Sequence, residues 1–311
     1  MKNYVSHRIK RVETQLGTSD IKKYLDAFRF DCQLRNLTNK TLDCYYERLG
    51  YLFKYLENRQ IPFVEVDRRL IQDFILLTKD SVSDETINGR IRVYRRFFNF
   101  LIEDGLWEGS NPMKGIQLLK TVKRVKPVIE IEDIQKILSS IPVKPFENAR
   151  NRVMVLLFWD GMLRLNEVRN LKLSDVDLEG RLIKVFGKGR KERMVPLGVK
   201  TLKAIQQFLI KWRSKYSGEN LICMRNGQAI KERHYHKIIQ QLGEKSGLKL
   251  HPHLLRHSAA TWYIRQGGNP VILQKILGHS SLSVTQKYLH LSNEDAVNSY
   301  NDFSPSNGLR L

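Results

Sequence analysis

The most constraining feature of the sequence is the segment from His251 to Ser292, where glycine and proline divide an apolar periodicity into short helical runs. The first run ends at the pair Gly267-Gly268. Pro270 suits the first position of the second run, and Gly278 is placed to be its left-handed cap. A third run extends from about 284 to 291. The apolar stripe predicted for the second run consists of Ile272, Leu273, Ile276 and Leu277.

Polar residues of unusual type occupy fixed places in this segment. His253 and Arg256 are three apart on a helix predicted to reach about Gln266, so they share a face and can address one anion. His279 follows the second run on a loop. Tyr288 lies in the third run, near enough in sequence to swing back towards His279. We therefore expect the chemistry of the protein to reside here.

A second region of interest is the predicted β-hairpin over residues 181–197. Its sequence, RLIKVFGKGRKERMVPL, alternates apolar and polar residues on both sides of a Gly-Lys-Gly turn, as two paired strands should. Lys188 lies in the turn, with Lys184 and Lys191 as competing candidates. A lysine in a turn is ordinarily exposed and without a role, so the hairpin alone assigns none of the three.

Three pieces of the C-terminal segment together resemble the tyrosine recombinase family, which includes phage integrases and Xer-type resolvases. They are the pentapeptide from His253 to His257, of the form H-x-L-R-H, then Leu277-Gly278-His279, and then Tyr288 nine residues on. Each piece alone is weak evidence. Their order and spacing make the resemblance specific.

The segment from Asp160 to Val168 resembles the first arginine motif of that family, usually T-G-L-R-x-x-E-L. Arg164 and Glu167 match this motif. Met162 stands where the family normally has glycine, and a methionine resists backbone conformations that glycine adopts freely. The hairpin turn of the family presents an active-site lysine, and Lys188 is the residue that matches it.

The resemblance implies a tyrosine nucleophile that attacks a DNA phosphodiester, surrounded by cations that meet the charge of the transition state. Fixed guanidinium groups hold phosphate oxygens without a divalent metal, and a covalent 3′-phosphotyrosine conserves the bond energy, so neither metal nor ATP nor any other cofactor is expected. His253 would shuttle the proton of the nucleophile, His279 would donate to a phosphate oxygen, and Lys188 would protonate the leaving 5′ oxygen. Glu167 would hold its neighbours in register. The predicted catalytic residues are Arg164, Lys188, His253, Arg256, His279 and the nucleophile Tyr288.

The charge of the chain indicates a polyanionic partner. There are 53 basic and 32 acidic residues, a net charge of +21 and a pI near 9.9. Most of the excess lies after residue 120, and nucleic acid is the usual partner of such a protein. His251, His253 and His257 offer no familiar zinc-ligand spacing, and we expect no metal site. The three cysteines, without such spacing, are expected to be reduced structural thiols.

No secretion signal and no long apolar run are visible, so we expect a soluble protein of the bacterial cytoplasm or nucleoid with no membrane partner. The fold class expected is mainly α-helical with a small β-hairpin, in two domains. By resemblance these are a helical core-binding domain and an α+β catalytic domain. The predicted divisions are an N-terminal segment 1–18, a core-binding domain 19–120, a basic linker 121–127, a catalytic domain 128–292 and a tail 293–311 that contacts either its own domain or another protomer.

Basic residues outside the catalytic set are candidates for contacts to DNA phosphates. Four lie on the predicted helix that Asp84 opens and Gly105 stops, and three lie in the linker. A solvated charged face is the alternative for the first group, and a plain domain boundary for the second. The candidates are Arg90, Arg92, Arg95, Arg96, Lys123, Arg124 and Lys126.

The predicted function is a site-specific DNA recombinase that acts in integration, excision, transposition or resolution of a DNA element. The resemblance implies double-stranded recombination sites as substrate, a homo-tetramer on DNA, two rounds of exchange through a Holliday junction, and an accessory DNA-bending or directionality protein as a further partner. Two alternatives stay open at this stage: a non-catalytic DNA-binding regulator on a recombinase scaffold, and a type IB-like topoisomerase.

Overall fold

The structure is a computed structural model, which describes residues 19–121, 127–187 and 192–279. The chain divides into two compact units, Met1–Arg124 and Val125–Leu311. Each unit has its own hydrophobic core. Helices dominate and a small antiparallel sheet is present, which confirms the predicted fold class. Across the described ranges, no helix combines the length and apolarity needed to cross a membrane.

The first unit is a bundle of helices around an aromatic core. Its helices begin at capping residues that the sequence makes visible, because Thr38, Asp67 and Ser83 each accept a hydrogen bond from a backbone N–H of the first turn. The described helices are α1 Ser19–Leu34, α2 Asn39–Asn58, α3 Arg68–Lys79 and α4 Asp84–Glu103.

One aromatic residue of α1 lies outside the core. The side chain of Phe30 is 64% exposed. Leu25, Phe28 and Cys32 define the buried face and are fully buried. Phe30 follows Phe28 by two positions, which turns it by about 200° around the helix and into solvent.

The second unit is organised around one buried helix. Every residue from Val153 to Trp159 in this helix, α6, is buried, and α6 packs against helices on two sides. This unit therefore offers a rigid base for the segments that carry the candidate residues. Its described helices are α5 Ile131–Ser140, α6 Phe146–Trp159, α7 Leu165–Asn170, α8 Val199–Lys211, α9 Glu232–Glu244, α10 Pro252–Arg265 and α11 Pro270–Leu277.

The sheet contains the predicted hairpin and one further short strand. Its strands β1 Val176–Asp177, β2 Leu182–Phe186 and β3 Glu192–Pro196 pair antiparallel in the order β1-β2-β3. The β-prone sequence at 220–224 forms no regular strand, because Asn220 and Cys223 make only isolated bridges. Their partners, Lys172 and Ala229, belong to no strand that could extend the pairing.

The ends of α10 and α11 are fixed by local signals. His251 caps α10, since its Nδ1 accepts the Leu254 N–H at 3.1 Å. Pro270 is the first residue of α11, and Gly278 ends it in the predicted left-handed conformation, with φ 61° and ψ 48°. Ile272 departs from the predicted apolar stripe and is 50% exposed. The predicted third run lies outside the described residues.

Candidate active site

Glu167 is the centre of the candidate site. It lies in the first turn of α7 and is only 5% exposed. The Arg164 N–H donates to its Oε2 at 2.7 Å, and Arg164 Nη1 donates to its Oε1 at 3.0 Å. The three-residue spacing of the motif thus lets one carboxylate hold both the backbone and the side chain of Arg164. The side chain of Arg164 remains 34% exposed and open to an anion.

Arg256 approaches the same carboxylate from α10. Its Nη1 lies 3.7 Å from Glu167 Oε2, and its side chain is only 7% exposed. It donates from Nη1 to the Met162 carbonyl and from Nη2 to the Leu277 carbonyl, the latter at 2.8 Å. Arg256 therefore contributes positive charge from beneath the surface. His253, one turn earlier on α10, is the exposed member of that pair.

A third arginine at this site, Arg193 on β3, was not among the residues predicted from the sequence. Its Nη1 and Nη2 donate to Glu167 Oε1 and Oε2 at 2.7 and 2.8 Å, a bidentate arrangement. A signal for it was present, because strand alternation places Arg193 on the same face as buried Val195. An arginine on an inward face requires a buried acidic partner.

The C-terminal end of α11 receives hydrogen bonds from all three arginines. Arg193 Nε donates to the Ile276 carbonyl at 2.8 Å, and Arg164 Nη2 makes a longer contact of 3.4 Å to the Gly278 carbonyl. Together with the bond from Arg256, these contacts pair carbonyls that a helix end leaves without partners, and cations suit the negative end of the helix dipole. His279 follows directly.

Met162, which stands where the family motif has glycine, keeps a backbone conformation that favours glycine. Met162 adopts φ 47°, in the left-handed region, although it is not a glycine. Its buried side chain packs in the core, and its carbonyl faces Arg256. Gly161 does not need that conformation but cannot carry a side chain, because a Cβ there would lie 2.9 Å from the Leu157 carbonyl oxygen.

The ionisation of two site residues follows from their surroundings. Burial raises the pKa of Glu167, but hydrogen bonds from Arg193 and the Arg164 N–H and the charges of Arg193 and Arg256 outweigh it, so the net pKa is lowered. Partial desolvation lowers the pKa of His253, and nearby positive charges, Arg256 first, lower it further. Near neutral pH Glu167 is ionised and His253 is a neutral base.

The described part of the chain brings together Arg164, Glu167, His253, Arg256 and His279. Lys188 and Tyr288 lie outside the described residues, so their placement stays a prediction. Where the chain is described, no cluster of three or more metal-ligating side chains was found.

The four candidate arginines of α4 do not share one exposed face. Arg90 is 6% exposed, and its guanidinium carbon lies 4.1 Å from the ring centroid of Tyr51. Arg90 faces inward because it lies about 200° around the helix from Arg92, which is exposed. Arg95 donates to the Ile116 carbonyl at 2.6 Å, and Arg96 pairs with Asp31. Contact with DNA stays a prediction. Of the four arginines, Arg92 is the one whose side chain is exposed. The linker candidates Lys123, Arg124 and Lys126 lie outside the described residues.

Comparison with known proteins decides the family. The model of the phage integrase family matches residues 127–295, more than half of the chain. The chain belongs to the phage integrase family. The model of the phage integrase SAM-like domain matches residues 4–114. Like its curated relatives in this family, the chain is a tyrosine site-specific recombinase.

Similar curated proteins are Xer-type members of the family. Tyrosine recombinase XerC of Actinobacillus pleuropneumoniae serotype 7 is 32% identical over 289 residues, covering 91% of this chain and 93% of XerC. Tyrosine recombinase XerD of Staphylococcus epidermidis is 29% identical over 293 residues, covering 92% of this chain and 98% of XerD. The relationship thus extends over nearly the whole length of both proteins.

Two solved structures share the fold of this chain. The Tn1549 transposon integrase, in complex with a circular intermediate DNA, gives a TM-score of 0.72 at 22% identity and covers 90% of this chain and 99% of its own. The XerH site-specific recombinase, bound to difH substrate, gives a TM-score of 0.71 at 22% identity and covers 97% and 90%. At this identity the likeness supports the fold alone.

Proposed function

We propose that this phage integrase family member cleaves and rejoins DNA strands at specific sites through a 3′-phosphotyrosyl intermediate formed by Tyr288. The observation that carries the proposal is the grouping of Arg164, Arg256 and Arg193 around the single carboxylate of Glu167. Within the described residues this core holds three guanidinium charges against one carboxylate. The excess of positive charge is what a phosphodiester, and still more its pentavalent transition state, requires.

The exposed members of the site are suited to different steps of the reaction. Arg164 is partly exposed and offers its guanidinium to non-bridging phosphate oxygens. His253 is a neutral base near pH 7 because of its lowered pKa, so it can accept the proton of the tyrosine hydroxyl. His279, held at the end of α11, would donate to a phosphate oxygen, and Lys188 would protonate the departing 5′ oxygen. Arg256 supplies charge from below.

The broader role follows from the chemistry of the intermediate. A phosphotyrosyl bond conserves the energy of the broken phosphodiester, so a 5′ hydroxyl of a second strand can replace the tyrosine without ATP. We propose two rounds of such exchange through a Holliday junction in a homo-tetramer, acting in integration, excision, transposition or resolution, with an accessory DNA-bending or directionality protein. One structural neighbour is a transposon integrase in complex with DNA, and another is a recombinase bound to its difH substrate. These two neighbours support double-stranded recombination sites as the substrate.

The experiment is covalent trapping on nicked duplexes taken from the DNA that flanks the gene, in buffer without divalent metal. A nick beside the cleaved bond lets the short fragment diffuse away, so the phosphotyrosyl adduct accumulates and survives SDS. The wild-type protein should form the adduct and Tyr288→Phe should not. Sequencing the trapped DNA would identify the site.

A matched control is Tyr300→Phe, which removes the hydroxyl of another tyrosine in the same C-terminal region and should retain the adduct. Wild-type protein that binds these duplexes tightly and never forms an adduct would refute strand cleavage and favour a DNA-binding regulator. An adduct without exchange between two duplexes would instead favour a topoisomerase.

A further inference from the structure

The guanidinium of Arg193 is fully engaged by its neighbours in the site. All three of its nitrogen positions make hydrogen bonds, Nη1 and Nη2 to the two oxygens of Glu167 and Nε to the Ile276 carbonyl. Its side chain is 12% exposed. A guanidinium committed in this way offers little to a substrate, so Arg193 would act through the groups it holds.

Arg193 and the groups that it holds belong to three different segments. Arg193 itself lies on β3, opposite Val185 of β2 in the hairpin. Glu167 lies on α7, and its carboxylate fixes the backbone and the guanidinium of Arg164. Ile276 is in the last turn of α11, three residues before His279. One side chain thus joins the strand, the arginine motif and the helix end that carries a histidine.

The turn that leads to His279 also packs directly on Arg193. A Cβ on Gly278 would lie 3.0 Å from Arg193 Cδ and 3.1 Å from Nε and Nη1. The absence of a side chain at Gly278 lets the backbone of this turn rest on the arginine. Hydrogen bonds and packing therefore fix the same piece of chain independently.

We propose that Arg193 is a positioning residue of the active site, which holds the Glu167 carboxylate and the end of α11 in one arrangement and thereby orients Arg164 and His279 towards the scissile phosphate. The inference rests on the proposed function, because cleavage at that phosphate is the step this orientation serves. It follows that Arg193 affects the rate of cleavage and not the affinity for DNA.

Lysine and glutamine at this position separate charge from geometry. A lysine keeps the positive charge, but its single ammonium cannot reproduce a planar fork that meets two carboxylate oxygens and a carbonyl. We expect Arg193→Lys and Arg193→Gln both to bind the nicked duplex within about threefold of wild type. At saturating DNA, both should form the Tyr288 adduct on the order of 100-fold more slowly.

The matched control is Arg265→Gln. It breaks another arginine–glutamate pair of the same unit, Arg265 to Glu130 at 3.0 Å, in which both side chains are 52% exposed. This variant should form the adduct at the wild-type rate. Adduct formation by Arg193→Lys at the wild-type rate, or a parallel loss of DNA binding and rate in it, would overturn the inference.

A double variant distinguishes positioning through Glu167 from direct contact with the phosphate. In a Glu167→Gln background the carboxylate that Arg193 holds is already lost. If Arg193 acts through that carboxylate, adding Arg193→Gln should slow cleavage much less than Arg193→Gln slows the wild type. An equal loss of rate in both backgrounds would mean that Arg193 acts on the substrate directly and would overturn the inference.

The dependence of the rate on pH gives a readout that a purely structural role would not change. Arg193→Gln removes an influence that lowers the pKa of Glu167, while burial still raises it. The wild-type rate should fall in acid as His253 is protonated, and the rate of the variant should begin to fall at a higher pH than the wild-type rate. Equal profiles would count against the inference. If the wild-type protein forms no adduct, the proposed function is overturned, and the inference with it. If the wild type is active and Arg193→Lys forms the adduct at the wild-type rate, the inference alone is overturned.

Discussion

The left-handed backbone at Met162 predicts an unusual response to glycine. An L-residue in this conformation is destabilised by about 1–2 kcal/mol, which glycine avoids. Met154, a buried methionine inside α6, has no such conformation, and there glycine is less stable than alanine by about 1 kcal/mol. Truncation of the two methionines removes similar buried surface, since Met162 is 7% and Met154 is 0% exposed.

The comparison therefore concerns the step from alanine to glycine at each site. At Met154 that step should cost stability, whereas at Met162 it should cost about 2–3 kcal/mol less, because the backbone terms have opposite signs. The loss of the last methyl group is common to both steps and cancels. Because the conformation is retained, Met162→Gly should also keep its carbonyl in place for Arg256.

The assay is guanidinium chloride unfolding of the full chain followed by tryptophan fluorescence. The sequence contains four tryptophans, and a Trp107→Phe background removes the one in the first unit. The remaining signal comes from Trp159, Trp212 and Trp262, so it reports the second unit alone, which avoids mixing two transitions. An alanine-to-glycine step of equal cost at Met154 and Met162 would refute the reasoning.

Three further predictions concern the second unit. Gly278→Ala should destabilise the second unit by about 2 kcal/mol in the same assay, because φ 61° disfavours a side chain and the new Cβ would contact Arg193. A decrease in the free energy of unfolding below about 0.5 kcal/mol would contradict this prediction. Tyr235→Phe should leave stability unchanged or raise it by about 1 kcal/mol, because the fully buried hydroxyl has no hydrogen-bond partner among the residues that the structure describes, and burial raises its pKa. A clear loss of stability would mean that a partner exists. In an NMR titration the pKa of His253 should lie below the usual range of histidine. Since its folded pKa lies below its unfolded pKa, His253 should reduce stability only as the pH falls from the unfolded pKa towards the folded pKa. A normal or raised pKa would be inconsistent with the nearby cations.

The predictable parts of the molecule are those whose cause is local in sequence. Pro270 and Gly278 mark helix ends through hydrogen bonds and backbone angles within a few residues, so the sequence pattern located these ends well. The pairing of Arg164 with Glu167 is local for the same reason, because three residues of helix bring them together.

The parts that sequence reasoning missed depend on distant partners. Arg193 gains its role from Glu167, 26 positions earlier, and Ile276, 83 positions later, and no local pattern contains either. Arg90 was grouped with its neighbours by charge, although its position on the helix turns it towards Tyr51. Asn220 belongs to a sequence with strand propensity that found no strand to pair with.

The arginine cluster around Glu167 has a thermodynamic consequence for the folded state. Three guanidinium groups share one carboxylate in the described site, so mutual repulsion is compensated only in part. A small anion that binds to the uncompensated positive charge binds the native protein and not the unfolded chain. It therefore stabilises the fold by mass action. Sulfate or phosphate in the buffer thus becomes a component of the stability of this domain.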